Sequence, residues 1–203
     1  MADKILMNKN TLAALKAELV EYRGALPVFE MKEQQLKGIV QSIENGISIL
    51  KGDIKKTNEQ IKSWVAVMAE EGVDLGRMVK VEKVRTEQQE IAGIVVESYI
   101  DIEFAEAELD YFTTPLWADA AIEVVVSQKT KHTILVIEQR KLELLQEELA
   151  EARRMKNALK EVFIPETLET IRKIEIYLGD VERLAIGCAK LVKKKKMEKM
   201  ATG

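Results

Sequence analysis

Apolar residues step along the N-terminal third of the chain by threes and fours without a slip. The positions are Leu12, Leu15, Leu19, Tyr22, Leu26, Phe29, Glu33, Leu36, Val40, Ile43, Ile47, Leu50, Ile54, Thr57, Ile61, Trp64 and Met68. Fifteen of these seventeen are apolar or aromatic, so the seven-residue repeat holds throughout. A repeat sustained this long predicts a left-handed coiled coil. At about 1.5 Å per residue the stripe runs roughly 85 Å, several times the reach of a compact core. Asn8 or Asn10 is placed to cap its start and Gly72 to end it. Pro27 lies off the seam, which predicts a local bend without loss of phase.

The C-terminal half carries a matching stripe. Leu142, Leu145, Leu149, Ala152, Met155, Leu159 and Val162 lead up to Pro165, and Leu168, Ile171, Ile174, Leu178, Val181, Ala185, Cys188 and Val192 follow it. The gap from Val162 to Leu168 shifts the phase at the proline, which predicts a kink that bends or locally overwinds the helix. Upstream, "TTPLWAD" reads as a helix start, with Thr114 as cap and Pro115 at the first helical position. The β-branched run "AIEVVVSQKTKHTILVIEQRK" can be read as strand. The spacing of Ile122, Val125, Thr133 and Val136 into Leu142 suits a helix better.

Between the stripes the period changes to two. Ile94, Val96, Ser98, Ile100, Ile102 and Phe104 alternate with Val95, Glu97, Tyr99, Asp101 and Glu103, the signature of a strand with one buried face. A second strand is predicted over Val79 to Val84, with a polar turn around Thr86 to Glu90. Two helical stripes of similar length, separated by a short hairpin, fold back antiparallel. The expected fold is mainly α: a long antiparallel two-helix coiled coil of N- and C-terminal helices with a small β-hairpin insert. Its expected parts are the N-terminal helix over 1–72, the insert over 73–113, the C-terminal helix over 114–197 and a tail over 198–203.

Composition agrees with long helices: 32% of residues are charged, 5% are aromatic, and only ten are glycine and three proline. The net charge of −3 argues against a polyanion binder for the chain as a whole. The exception is the basic close "KLVKKKKMEKM". No apolar run reaches the roughly 18 residues a bilayer span needs, and the N-terminus does not resemble a signal peptide. A cytoplasmic chain is expected, peripheral to the membrane and not inserted in it.

Candidate chemistry is sparse. One histidine and one cysteine cannot build a His/Cys metal cluster. His132 has no serine or cysteine partner at a recognisable spacing, and Cys188 falls on the apolar stripe, which predicts a buried structural thiol. Neither Gly72 nor Gly76 opens a phosphate-cradling loop with its lysine. No catalytic residue, cofactor or metal is expected, and the chain is read as non-catalytic.

The segment "RRMKNALKEVFIPETLETIRKIEIYLGDVERLAIGCAKLVKKKK" resembles the C-terminal helix of the D subunit, the central rotor shaft of the V/A-type rotary ATPases. The matching residues are Arg153, Arg154, Asn157, Ala158, Leu159, Val162, Ile164, Pro165, Thr170, Ile171, Ile174, Leu178, Glu182, Arg183, Lys190 and Lys193 to Lys196. Lys160 stands where the family commonly has Glu. "NTLAALKAEL" and Gly24 are similar to the family's N-terminus. "GALPVFEMKEQQL" departs from its basic "LLK.KR..L" pattern and puts Pro27, Phe29 and Glu30 where positive charge is usual. That departure points to a divergent bacterial branch.

The resemblance implies a shaft whose paired termini enter a hexamer of catalytic and regulatory subunits. It also implies that the hairpin end meets the small F subunit of the stalk and a socket-like subunit of the membrane ring. Partner contacts are then expected at Arg153, Arg154, Asn157, Pro165, Lys193, Lys194, Lys195 and Lys196, with Ile94, Val96 and Ile100 on the hairpin. Two other readings stay open. One is a scaffold or chaperone of prefoldin-like design. The other is a basic-tailed nucleic-acid-binding coiled coil, although six lysines without interleaved aromatics make no stacking platform for single strands.

Overall fold

A computed structural model describes residues 6–62, 79–105, 115 and 117–201. Trp64, Met68, Gly72, Gly76 and Thr114 lie outside the described residues. In chain order the elements are helix α1 (Lys9–Lys62), strands β1 (Val81–Ile91) and β2 (Ile94–Phe104), helix α2 (Ala118–Ala158), a π-helical turn (Leu159–Phe163) and helix α3 (Ile164–Ala201). This is the expected mainly helical fold, with one small hairpin between its helical arms. The chain divides into two compact units, Met1–Met31 with Ala152–Gly203, and Lys32–Glu151.

In the first unit Asn8 stands just before α1 and its Oδ1 accepts the Thr11 N–H at 2.7 Å, so Asn8 is the cap and Asn10 lies inside the helix. Leu12, Leu15, Leu19, Tyr22, Leu26 and Phe29 all turn away from solvent, Leu19 most fully. Their partners come from the C-terminal arm in reverse order. Lys9 pairs with Glu182 at 3.4 Å, Lys16 with Glu175 at 2.6 Å, and the rings of Tyr22 and Phe163 stack 5.5 Å apart. The two ion pairs are exposed and contribute little. What they report is direction; the buried Leu19, Ile171 and Ile174 supply the apolar burial that holds the pair together.

The second unit repeats the arrangement. Leu36, Val40, Ile47 and Ile54 of α1 are buried, as are Ile137 and Leu145 of α2. Lys32 pairs with Glu148, Gln146 donates to Glu44 at 3.0 Å, and Lys131 lies 3.4 Å from the Thr57 hydroxyl, again in descending order along α2. The β-branched stretch of α2 is helix. Thr130 and Thr133 donate their hydroxyls to the carbonyls of Val126 and Lys129 at 2.9 Å, a bond that lets threonine sit in a helix interior. Pro115 precedes α2 and does not open it; its carbonyl accepts the Ala118 N–H at 3.0 Å.

The strands pair antiparallel from Val81↔Phe104 to Ile91↔Ile94. The turn between them is Ala92–Gly93, with φ of 54° and 87°, the two-residue geometry whose twist matches the strands. This corrects the expected turn around Thr86 to Glu90, which is strand. Every side chain from Glu82 to Glu90 is exposed, so this part of β1 has no buried face and no alternation to read. Register shifts fall between Val81 and Lys83 and between Arg85 and Thr86. At the second, Ile100 of β2 has no cross-strand partner and is 54% exposed, so it leaves the inward face to which the alternation assigned it.

The C-terminal stripe also differs from expectation. Met155, Val162 and Leu168 are exposed, while Lys156 is half-buried and Thr167 is buried. In the first unit the covered line runs Ala152, Lys156, Leu159, Ile164, Thr167, Ile171, Ile174 and Leu178. The phase does change before Pro165, but through a π turn. Such a turn holds more residues than an α turn, so the helix is underwound where overwinding was one expectation.

Candidate interaction surfaces

The expected contact residues fall into two sets, one in each unit. Arg153, Arg154 and Asn157 are exposed on the last turns of α2, and Pro165 is exposed as the second residue of α3. Their i, i+4 spacing puts Arg153 and Asn157 on one helix face. Lys193, Lys194, Lys195 and Lys196 make a full turn of α3, and all four are exposed. All eight side chains are accessible to solvent.

The end of α3 is unlike the rest of the first unit. From Val181 to Glu198 every residue is exposed, because the Lys9–Glu182 pair already uses the first turn of α1. The seam spacing continues through Val181, Ala185, Cys188 and Val192, yet all four stand open. Cys188 is a free, exposed thiol, which corrects the expected buried one: the stripe outlasts its partner helix. Further apolar side chains stand off that seam. Leu184 is 68% exposed, and Ile186, Leu191 and Met197 are similarly open. Leu184, Gly187, Cys188 and Leu191 line a shallow groove with Asp180 and Arg183. Sequence reasoning followed one stripe and missed these; their signal is apolar residues on more than one face of a highly charged helix. Apolar side chains exposed in a group, and not singly, are the kind of surface through which proteins meet partners.

In the second unit the hairpin residues divide. Val96 is buried, Ile94 half-buried and Ile100 exposed. Val96 therefore packs the hairpin onto its own unit, and Ile100 is the one of the three most open to an outside partner. Val95 and Val84 are exposed too, but each lines a cleft against α2. The hairpin is held on α2: the Lys129 Nζ donates to the Val79 carbonyl, and Val84, Thr86 and Glu97 share a cleft of about 470 Å³ with His132, Thr133, Val136, Ile137 and Arg140. Arg85 and Glu103 pair across the strands. His132 is exposed in that cleft, with no serine or cysteine among the lining residues.

Among the described residues no group of three His, Cys, Asp or Glu side chains is placed to hold a metal ion. No described helix is long and apolar enough to cross a membrane. The arrangement exposes helical surface on α3 that is basic along one turn and apolar in the turns beside it.

Comparison with known proteins gives these surfaces a family. The family model described as the D subunit of ATP synthase matches residues 11–194. A V-type ATP synthase D subunit of Borreliella burgdorferi is 30% identical over 97% of this chain and 96% of its own length. Proteins of the same description from Chlamydia trachomatis and Chlamydia pneumoniae are 27% and 22% identical, each over 96% of this chain and 97% and 94% of their own. With a match that runs from the first turns of α1 to the lysine turn of α3, the chain belongs to the ATP synthase D-subunit family.

Proposed function

We propose that this chain is the central rotor shaft of a V/A-type rotary ATPase, carrying torque between the ATP-hydrolysing or ATP-synthesising hexamer and the ion-translocating ring in the membrane. It makes and breaks no bonds itself. It works at the cytoplasmic side as a peripheral part of the complex, without a cofactor.

The observation that carries the reading is the bare end of α3. A helix that leaves its partner and then exposes Leu184, Ile186, Leu191 and Val192 beside a turn of four lysines is built to be surrounded. In this reading the catalytic and regulatory subunits of the hexamer surround it. Apolar side chains slide against a sleeve without fixed hydrogen bonds to break, and the lysines face carboxylates of the sleeve. Arg153, Arg154 and Asn157 meet the hexamer as well. The hairpin, through the exposed Ile100, meets the small F subunit of the stalk or the socket of the ring. A shaft needs stiffness, and paired helices with buried seams in each unit supply it. It also needs an uneven surface, so that the three catalytic interfaces are not pushed alike.

The test is capture of partners by the tagged full chain from native cytosol and solubilised membranes, with identification by mass spectrometry. Recovery of the two large ATPase subunits with a small stalk protein, in ATPase-active form, is the expected result. Recovery of the chain alone, or of nucleic acid released by salt, would overturn the reading in favour of a scaffold or a nucleic-acid binder.

A further inference from the structure

The π turn ahead of Pro165 contains one residue too many for a regular helix. From Ala152 to Leu159 the covered line advances seven residues, from Leu159 to Thr167 eight, and from Thr167 to Ile174 seven again. A coiled-coil seam in α-helix closes on seven. The eighth residue is absorbed between Leu159 and Phe163, where the Ile164 N–H reaches back five residues to the Leu159 carbonyl. Were the turn α-helical, each later residue would rotate by about 100°. The seam would then pass through Glu166, Lys173 and Asp180, which are exposed, and not through Thr167, Ile171 and Ile174, which are buried or nearly so.

The surroundings accommodate the widened turn. Phe163, its last residue, stacks on Tyr22 of α1 with centroids 5.5 Å apart and planes 29° from parallel. Pro165 stands directly after the residue that makes the π bond and has no N–H to give, so the ladder is thinned at the next position too. Lys160, Glu161 and Val162 are all exposed. Taking out one of them leaves Leu159, Ile164, Thr167, Ile171, Ile174 and Leu178 at an unbroken four-three spacing. The seam of this unit does not need the extra residue.

We propose that the π turn and Pro165 together form a torsional spring: a locally underwound, under-bonded turn that costs stability and lets the helix beyond it twist against the helix before it. π turns are rare, occur mostly as single turns inside α-helices, and concentrate at functional positions. The twisting role rests on the rotor reading above; the cost in stability does not.

Two arms test it. In the first, the full chain with Val162 deleted and Pro165→Ala introduced is melted beside the wild type and beside Pro165→Ala alone. The double change raises the melting midpoint on the order of 5 °C, and hydrogen exchange over 157–167 slows. An unchanged or lowered midpoint with unslowed exchange overturns the proposal, because the turn would then be part of the best packing. In the second, the same variant is assembled into the complete ATPase in vesicles, and ATP hydrolysis and ion pumping are read separately. Loss of pumping at undiminished hydrolysis is expected. Pumping as efficient as wild type, from a variant already shown to be stiffer, overturns the spring. If neither wild type nor variant assembles with ATPase subunits, the rotor reading fails and the twisting role falls with it, while the melting arm still decides the stored cost.

Discussion

Two prolines sit inside long helical arms of the same unit, and the chain treats them differently. Pro27 lies within α1, which stays α-helical from Lys9 to Lys62 and keeps its seam through Leu19, Leu26 and Glu33 at strict sevens. Pro165 follows a π turn and a seam step of eight. Both prolines are exposed. A proline is therefore not what opens the turn. The number of residues between seam positions decides whether the helix must unwind, and the proline only chooses where along an exposed face the missing bond is tolerated.

The comparison breaks most visibly in the seam itself. Ile174 lies beyond the extra residue and is 1% exposed; Leu184 lies beyond the partner helix and is 68% exposed. Ile174→Ala is expected to cost about 3 kcal/mol in urea unfolding, the usual loss for a buried aliphatic. Leu184→Ala is expected to change stability by less than about 0.5 kcal/mol, as surface changes do, and, on the proposed rotor role, to weaken assembly with the hexamer. Equal losses at the two sites would mean that the end of α3 is covered in the free chain.

The prolines give the next contrast. Pro27→Ala restores a donor inside a regular α-helix and is expected to stabilise by up to about 3 kcal/mol. Pro165→Ala alone leaves the eight-residue step in place and frees the unfolded chain, so its net change is expected within about 1 kcal/mol of zero. Thermal melts of the two single variants decide. A larger gain at Pro165 would make the proline the cause of the π turn and remove the residue count from that role.

The same count explains which features are legible in the sequence. Within its described range α1 is legible throughout, because apolar residues fall on every seam position except Glu33 and Thr57. The C-terminal arm is legible as a helix with a phase change at the proline, but not in its exact seam. Lys156 and Thr167 occupy covered positions beside the exposed Met155 and Leu168, and a reading that follows hydrophobicity takes the apolar neighbour. A lysine can occupy such a position because its methylene stem packs against apolar surface while its charged end stays at the edge. The π turn is not legible, since its only trace is a count of eight that opens onto a threonine. In the hairpin, β2 shows its alternation, whereas β1 is polar on both faces from Arg85 to Glu90 and conceals a two-residue turn at Ala92–Gly93. Of the contact residues, accessibility at Arg153, Arg154, Asn157 and the lysine turn follows from their polarity. Val96 is different. Period two tells which residues share a face, and not whether that face meets the chain's own helix or a partner.

A finer contrast follows from placing Thr167 and Leu168. Thr167 is buried and Leu168 is 40% exposed. Thr167→Asp is expected to destabilise by about 2 kcal/mol, as an unpaired carboxylate placed in a seam does, and Leu168→Asp by under about 0.5 kcal/mol. A reversed order in urea unfolding would restore the seam that hydrophobicity alone suggests.

The smallest expected effect lies at the aromatic pair beside the π turn. Tyr22 donates its hydroxyl to Glu18 while its ring stacks on Phe163. That hydrogen bond first, then burial and the negative charges of Glu18 and Glu21, raise the phenol above its ordinary value of 10.0. A raised value means that the fold holds the neutral phenol more tightly than the unfolded chain does. The contribution is complete below about pH 10 and is lost as pH rises through the folded-state value. Tyr99 in the other unit is raised as well, by burial and then Asp101, so the wild-type melting curve alone cannot assign the alkaline loss. Tyr22→Phe keeps the ring stack and removes the titration. Its melting midpoint should fall less steeply than the wild type's above about pH 10, and the two slopes should coincide near neutrality. Identical slopes across the alkaline range would mean that the Tyr22–Glu18 bond does not persist in solution, and that the ring alone holds α1 against the widened turn.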